Sequence, residues 1–119
     1  MQLRVLLLVS LCGFPITTMA VEPCSVMHGR LRAYSGDGNV RLWHIGTHHM
    51  FEPDETTIGR AYDWLTAGMT KSDAKKFAYI NVDLYGDFTV CPVEPFKQGS
   101  VQHARIISVA NKHYVRLQE

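Results

Sequence analysis

SVMHGRLRAYSGDGNVRLWHIGT, residues 25–47, is the stretch whose reading decides the fold. Along Ser25–Tyr34, residues Met27, Gly29, Leu31 and Ala33 fall on one side and His28, Arg30 and Arg32 on the other. That period of two is the pattern of a half-buried strand. SGDGN, residues 35–39, is turn chemistry, and Asn39 tolerates positive φ. Val40–Thr47 then carries the β-branched and aromatic side chains of a second strand. The three pieces together predict an antiparallel hairpin.

The DGNVRLW string also looks like a strand from a propeller blade. A blade takes about 40–45 residues, and a propeller needs several in a ring. The string occurs once, and Trp43 is followed by His44 rather than by an aspartate. It is a strand, not a blade.

Upstream of the hairpin, residues 1–20 read as a cleaved signal peptide. Arg4 supplies a positive start, Val5 to Phe14 is apolar, Pro15 ends the run, and Thr18-Met19-Ala20 sets small residues at the cleavage positions. The apolar run is about half of the ~20 residues that a membrane-spanning helix needs. Residues 21–119 are left as a single globular domain, exported to the periplasm or the medium, with no transmembrane segment after cleavage.

Cleavage removes one base, Arg4, and no acid, so eleven basic side chains remain against eleven acidic ones. No basic excess is available to neutralise phosphates, which excludes general nucleic-acid binding. Of the three cysteines, Cys12 leaves with the leader. Cys24 and Cys91 remain, and an oxidising compartment pairs them. Closing a loop of about 70 residues is worth about 4 kcal/mol on the chain-entropy argument, comparable with the whole stability of a small domain.

Farther along, Ile58, Ala61, Tyr62, Leu65 and Met69 recur at steps of three and four, which predicts a helix over 55–68. Thr56 or Thr57 is placed to cap it, Asp54 and Glu55 suit its N-terminus, and Gly68 suits its end. Thr70-Lys71-Ser72-Asp73 matches a capping box leading into Ala74-Lys75-Lys76. Strands resume over 77–85 and 88–91, with Gly86-Asp87 either a hairpin turn or a bulge. A last pair is expected at 102–109 and 114–117. The fold class is therefore α+β: a small antiparallel β-rich domain, a sandwich or partly open barrel, with one short helix and one disulfide.

Three motif groups carry a resemblance: His28-Gly29-Arg30, then Arg41-Leu42-Trp43 with Gly46-Thr47, then Gly86-Asp87-Phe88 with Val90-Cys91-Pro92. They are similar to those of a group of short exported bacterial proteins of unknown function. The resemblance implies bacterial export and carries no biochemical role.

Two constellations invite chemistry. His44, His48 and His49 lie close together, followed by Glu52, Asp54 and Glu55, and His28 could approach from the paired strand. Imidazole and carboxylate suit zinc or copper. Against this, positions four apart on a strand are separated by about 13 Å, too far for joint chelation. The second constellation is Arg30, Arg32 and Arg41, which could form an anion-binding face if they are not paired with acids. No serine sits in a nucleophile-elbow pattern, and both retained cysteines are assigned to the bridge. Asp83 and Asp87 could pair as carboxylates, although Asp87 suits a turn, and Asp37-Gly38-Asn39 lacks the remaining ligands of a calcium loop. The sequence thus favours a non-catalytic binding or interaction module with no cofactor, its partner an unknown protein or envelope ligand. The alternative is a histidine-based zinc or copper protein, and an enzyme has the least support.

Overall fold

A computed structural model describes residues 23–34, 39–76 and 79–117. The expected leader (1–20), the Ser35–Gly38 turn and Phe77 lie outside the described residues. The chain runs β1 (Ser25–Tyr34), β2 (Asn39–His44), β3 (Met50–Pro53), α1 (Ile58–Thr66), α2 (Lys71–Lys76), β4 (Val82–Pro92) and β5 (Gln102–Arg116). The strands close into a barrel in the order β1-β2-β3-β5-β4. β4 returns to lie beside β1, which makes β4-β1-β2-β3 a Greek key. β5 closes the ring, antiparallel to β4 and parallel to β3. A five-stranded Greek-key barrel is the plan of the OB-fold.

The hairpin holds as read, with Leu31 opposite Leu42 and Tyr34 opposite Asn39. Of the two architectures expected, the barrel is the one adopted, and it is closed. β3 is a strand not expected from the sequence and pairs with β5 in parallel, and α2 adds a second helix to the one expected. Two further stretches are continuous where an interruption was open or expected. β4 is one strand through Gly86-Asp87, in unbroken register with β1, so that pair is not a hairpin turn. Its register on β5 shifts there because Asn111 and Lys112 together stand opposite Gly86, which puts the extra residue of the bulge in β5. β5 is likewise continuous over the stretch expected to be a turn, and Asn111 absorbs the irregularity with φ 54°.

Alternation sends Leu31, Val40, Leu42, Phe51, Leu84, Phe88, Val90 and Ile106 inward, where all are buried. Burial of each such side chain stabilises by about 1.5–3 kcal/mol. α1 contributes Ala61 and Leu65 to the same core. Thr57, at its N-cap, makes no capping bond. Its hydroxyl donates to Asp54 Oδ1 at 2.9 Å and accepts the Ile106 amide at 3.2 Å, tying the helix start to β5. The helix is anchored again where Tyr114 donates to the Trp64 carbonyl at 2.6 Å. A second short helix, α2, follows the Thr70 cap, whose Oγ1 accepts the Asp73 amide at 3.0 Å. The Cys24–Cys91 disulfide extends the β1–β4 pairing by one position, next to Ser25 opposite Val90. Among the described residues, no helix is long and apolar enough to cross a membrane.

Candidate functional site

The register disperses the four candidate metal ligands. His44 pairs with Gly29, so strand alternation puts His44 on the inner row and its neighbour His28 on the outer one. On that outer row, His28 Nδ1 lies 3.2 Å from Asp87 Oδ1. His48 sits exposed in the β2–β3 turn, where Gly46 takes φ +90°. His49 is stacked between Phe51 and Phe96, 4.2 Å from each ring. Its Nε2 donates to the Gln102 amide oxygen at 2.8 Å, and Gln102 in turn donates to the Glu94 carbonyl at 2.7 Å. His49 therefore ties the 93–101 loop to β3. Among the described residues, no group of three or more histidine, cysteine, aspartate or glutamate side chains is placed to hold a metal ion.

The three arginines do share the outer face of β1 and β2. Arg32 and Arg41 are directly opposite each other in the hairpin, and Arg30 is opposite Trp43. Arg32 holds the buried Asp83 carboxylate, with Nε to Oδ1 at 2.7 Å. Arg41 Nη1 lies 3.5 Å from Glu52 Oε1. Arg30 lies over the Trp43 ring, 5.0 Å from its centre. Of the expected aspartate pair, Asp83 is bound to Arg32, while Asp87 accepts from Asn111 at 2.8 Å. Tyr85 faces outward on β4, and it is Tyr114 of β5 that meets α1, at the Trp64 carbonyl.

The feature not assembled from the sequence is an open cleft of about 630 Å³ where β2, β3 and the 93–101 loop meet. That volume lies within the ordinary range for ligand sites. Its apolar lining is Val40, Pro53, Ile58 and Val93, and its acidic lining is Glu52, Asp54, Glu55 and Glu94. The β2–β3 register and the turn into α1 bring the first three acids there, away from the histidines they follow in sequence. His103 stands between two of the acids. Its Nδ1 is 3.0 Å from Glu94 Oε2, and its Nε2 is 3.7 Å from Glu52 Oε1. Glu94 Oε2 also accepts the His103 backbone amide at 2.9 Å. That amide bond, with the imidazole beside it, holds the Glu94 carboxyl below its usual range. A second hollow, of about 530 Å³, is lined by Glu94 and His103 too, together with Phe96, Lys97 and Gln102.

Sequence reasoning passed over Glu94 and His103, which are nine positions apart. The available signal was the intervening loop, with Pro95 and Gly99 between two strands.

No family model, no curated protein and no solved structure matches the chain.

Proposed function

We propose that the chain is an exported, non-catalytic binding module whose cleft takes a ligand bearing positive charge, such as a basic peptide segment. The observation that carries this reading is the cleft itself: an apolar floor rimmed by four carboxylates, with Arg41 and His103 as the opposing groups beside them. Asp54 is occupied by the hydroxyls of Thr56 and Thr57, whereas Glu55 is exposed and has no partner among the described residues. Such a rim attracts cations and repels phosphate, in keeping with the balanced charge of residues 21–119. Position supports the reading by analogy, because OB barrels bind ligands at the strand 2–3 face and the β4–β5 loop. The disulfide and the leader-like residues 1–20 support an extracytoplasmic setting.

The test is calorimetric titration of residues 21–119, disulfide intact, with a lysine-rich decapeptide and with its glutamate-rich counterpart. Binding of the basic peptide alone is expected, weakening with salt and by about tenfold in Glu55→Gln and Glu94→Gln, the loss of one ionic contact each. Absence of binding at low salt, or equal affinity for the acidic peptide, overturns the assignment.

A further inference from the structure

A positive knob stands on the barrel, away from the acidic cleft. α2 is exposed along its length except at Asp73. Its lysines, Lys71, Lys75 and Lys76, outnumber that one acid, and Asp73 is taken by Arg116, whose Nη2 lies 2.9 Å from its Oδ2. Lys71 and Lys75 are one turn apart on the same side of the helix. Both are exposed, and neither has a partner among the described residues. Strand alternation puts Lys112 on the face of β5 that also carries Tyr114 and Arg116, exposed and likewise without a partner among the described residues.

The length of β5 separates the two charged poles. Its start, at His103, lines the cleft, and its end, at Arg116, is bonded to α2. From His103 to Lys112 runs roughly 30 Å of strand. Neither α2 nor the end of β5 lines the cleft, so the knob does not fill the cleft of its own chain. Tyr114 on the Trp64 carbonyl and Arg116 on Asp73 pin the helical segment to β5. The knob is thus held in place before any partner arrives, which lowers the ordering cost of binding. Over residues 21–119 eleven bases balance eleven acids. Two copies therefore do not repel as wholes, while their unlike ends attract.

We infer that the cationic segment received by the cleft is α2 of a second copy, with Lys71 and Lys75 reaching Glu55 and Glu52. The inference rests on the reading of the cleft given above. Charge complementarity carries it: Glu55 has no partner among the described residues, and Glu52 has only Arg41 at 3.5 Å and His103 at 3.7 Å. Knob and cleft are different surfaces, so the contact is head-to-tail. Each copy added leaves a free cleft at one end and a free knob at the other, and assembly grows as a chain or closes as a ring.

The test is sedimentation velocity of residues 21–119, disulfide intact, over a series of protein concentrations. At about 10 mM salt, where the Debye length is about 30 Å, the sedimentation coefficient is expected to rise with concentration. At about 1 M, where it is about 3 Å, the copies are expected to separate. Lys71→Gln/Lys75→Gln and Glu52→Gln/Glu55→Gln should each weaken association by about 10- to 100-fold. Mixed in equal amounts, the two variants should form a pair that grows no further, because one keeps the cleft and the other the knob. The lysine-rich decapeptide should compete with association. Association that survives either double variant, or variants that fail to pair when mixed, overturns the inference. So does a chain that stays monomeric at low salt yet binds phosphatidylglycerol vesicles through Lys71 and Lys75, which would make the knob a membrane contact. Monomers throughout, with the decapeptide still binding, overturn this inference alone. Failure of the decapeptide to bind overturns the reading of the cleft, and this inference with it.

Discussion

Arg32 on β1 holds Asp83 on β4 through both carboxylate oxygens, and the two residues are buried to very different degrees. The Asp83 side chain is 2 % exposed and that of Arg32 29 %. Asp83 points away from the core row of Val82 and Leu84, so it is covered from the outside, and Arg32 is part of that cover. The hydrogen bonds to Asp83 raise the pKa of the guanidinium against the opposing effect of its own partial burial. Arg32 thus stays charged throughout the working range. Removing it leaves a buried carboxylate uncompensated.

Arg32→Met should therefore destabilise by about 3 kcal/mol, at the low end for a broken buried pair because Arg32 keeps some water. The double variant Arg32→Met/Asp83→Leu should recover most of the loss, since it removes the orphaned charge. Urea unfolding of the four proteins in a double-mutant cycle gives the coupling. A coupling near zero would mean that the pair behaves as an exposed surface ion pair.

Two glycines should respond to alanine in opposite directions. A Cβ at Gly86, on β4 opposite the β5 bulge, would sit 2.7 Å from Val109 Cγ2 and 2.9 Å from the Ala110 carbonyl oxygen. Backbone cannot swing aside as a side chain can, so Gly86→Ala should lose about 1–3 kcal/mol. A Cβ at Gly59, exposed on α1, would meet nothing within 4 Å. Gly59→Ala should gain about 0.5–1 kcal/mol through helix propensity and a restricted unfolded chain. Paired thermal melts decide, and a destabilised Gly59→Ala would show that helix propensity does not govern this exposed position.

Acid should loosen the 93–101 loop before the barrel unfolds. Glu94 has its pKa lowered by the His103 amide and imidazole, and Asp87 has its own lowered by Asn111 and His28. A depressed folded-state pKa gives stability that is present above the unfolded value and lost as pH falls through the folded one. The window for Glu94 accordingly opens below its ordinary value of 4.5. Amide exchange at His103, corrected for intrinsic rate, should accelerate below that pH while Leu31 and Ile106 stay protected. Glu94→Gln should show the faster exchange already at neutral pH. If protection at His103 does not change with pH, the carboxylate is not what secures the loop.

The fold was legible wherever one face of an element is core. Ser25–Tyr34 and Val82–Val90 alternate because the barrel buries every second residue, and Ala61 and Leu65 keep helical spacing because α1 fills the same interior. β3 was not legible. Four residues, Met50–Pro53, are too few to show a period, and the histidines before them and acids after them drew a functional reading instead. Gly86-Asp87 stayed open between a turn and a bulge, and the stretch between 109 and 114 looked like a turn, because glycine and asparagine serve bulges and turns alike. The cleft was out of reach for another reason. Glu52 and His103 meet only through the parallel β3–β5 pairing that closes the barrel, and residue spacing does not encode that pairing.

The disulfide gives the last prediction, and it separates native from unfolded effects. Cys24 and Cys91 are 67 residues apart and join β1 to β4, which already pair from Ser25–Val90 to Leu31–Leu84. The bridge adds little contact to the native barrel, so its effect lies chiefly in the unfolded chain. Reduction, or Cys24→Ala/Cys91→Ala, should lower stability by about 3–4 kcal/mol. It should also raise the urea m-value, because an unbridged unfolded chain exposes more surface. A lower midpoint with an unchanged m-value would place the bridge's contribution in the native state, and an unchanged midpoint would show that the barrel pairing alone sets stability.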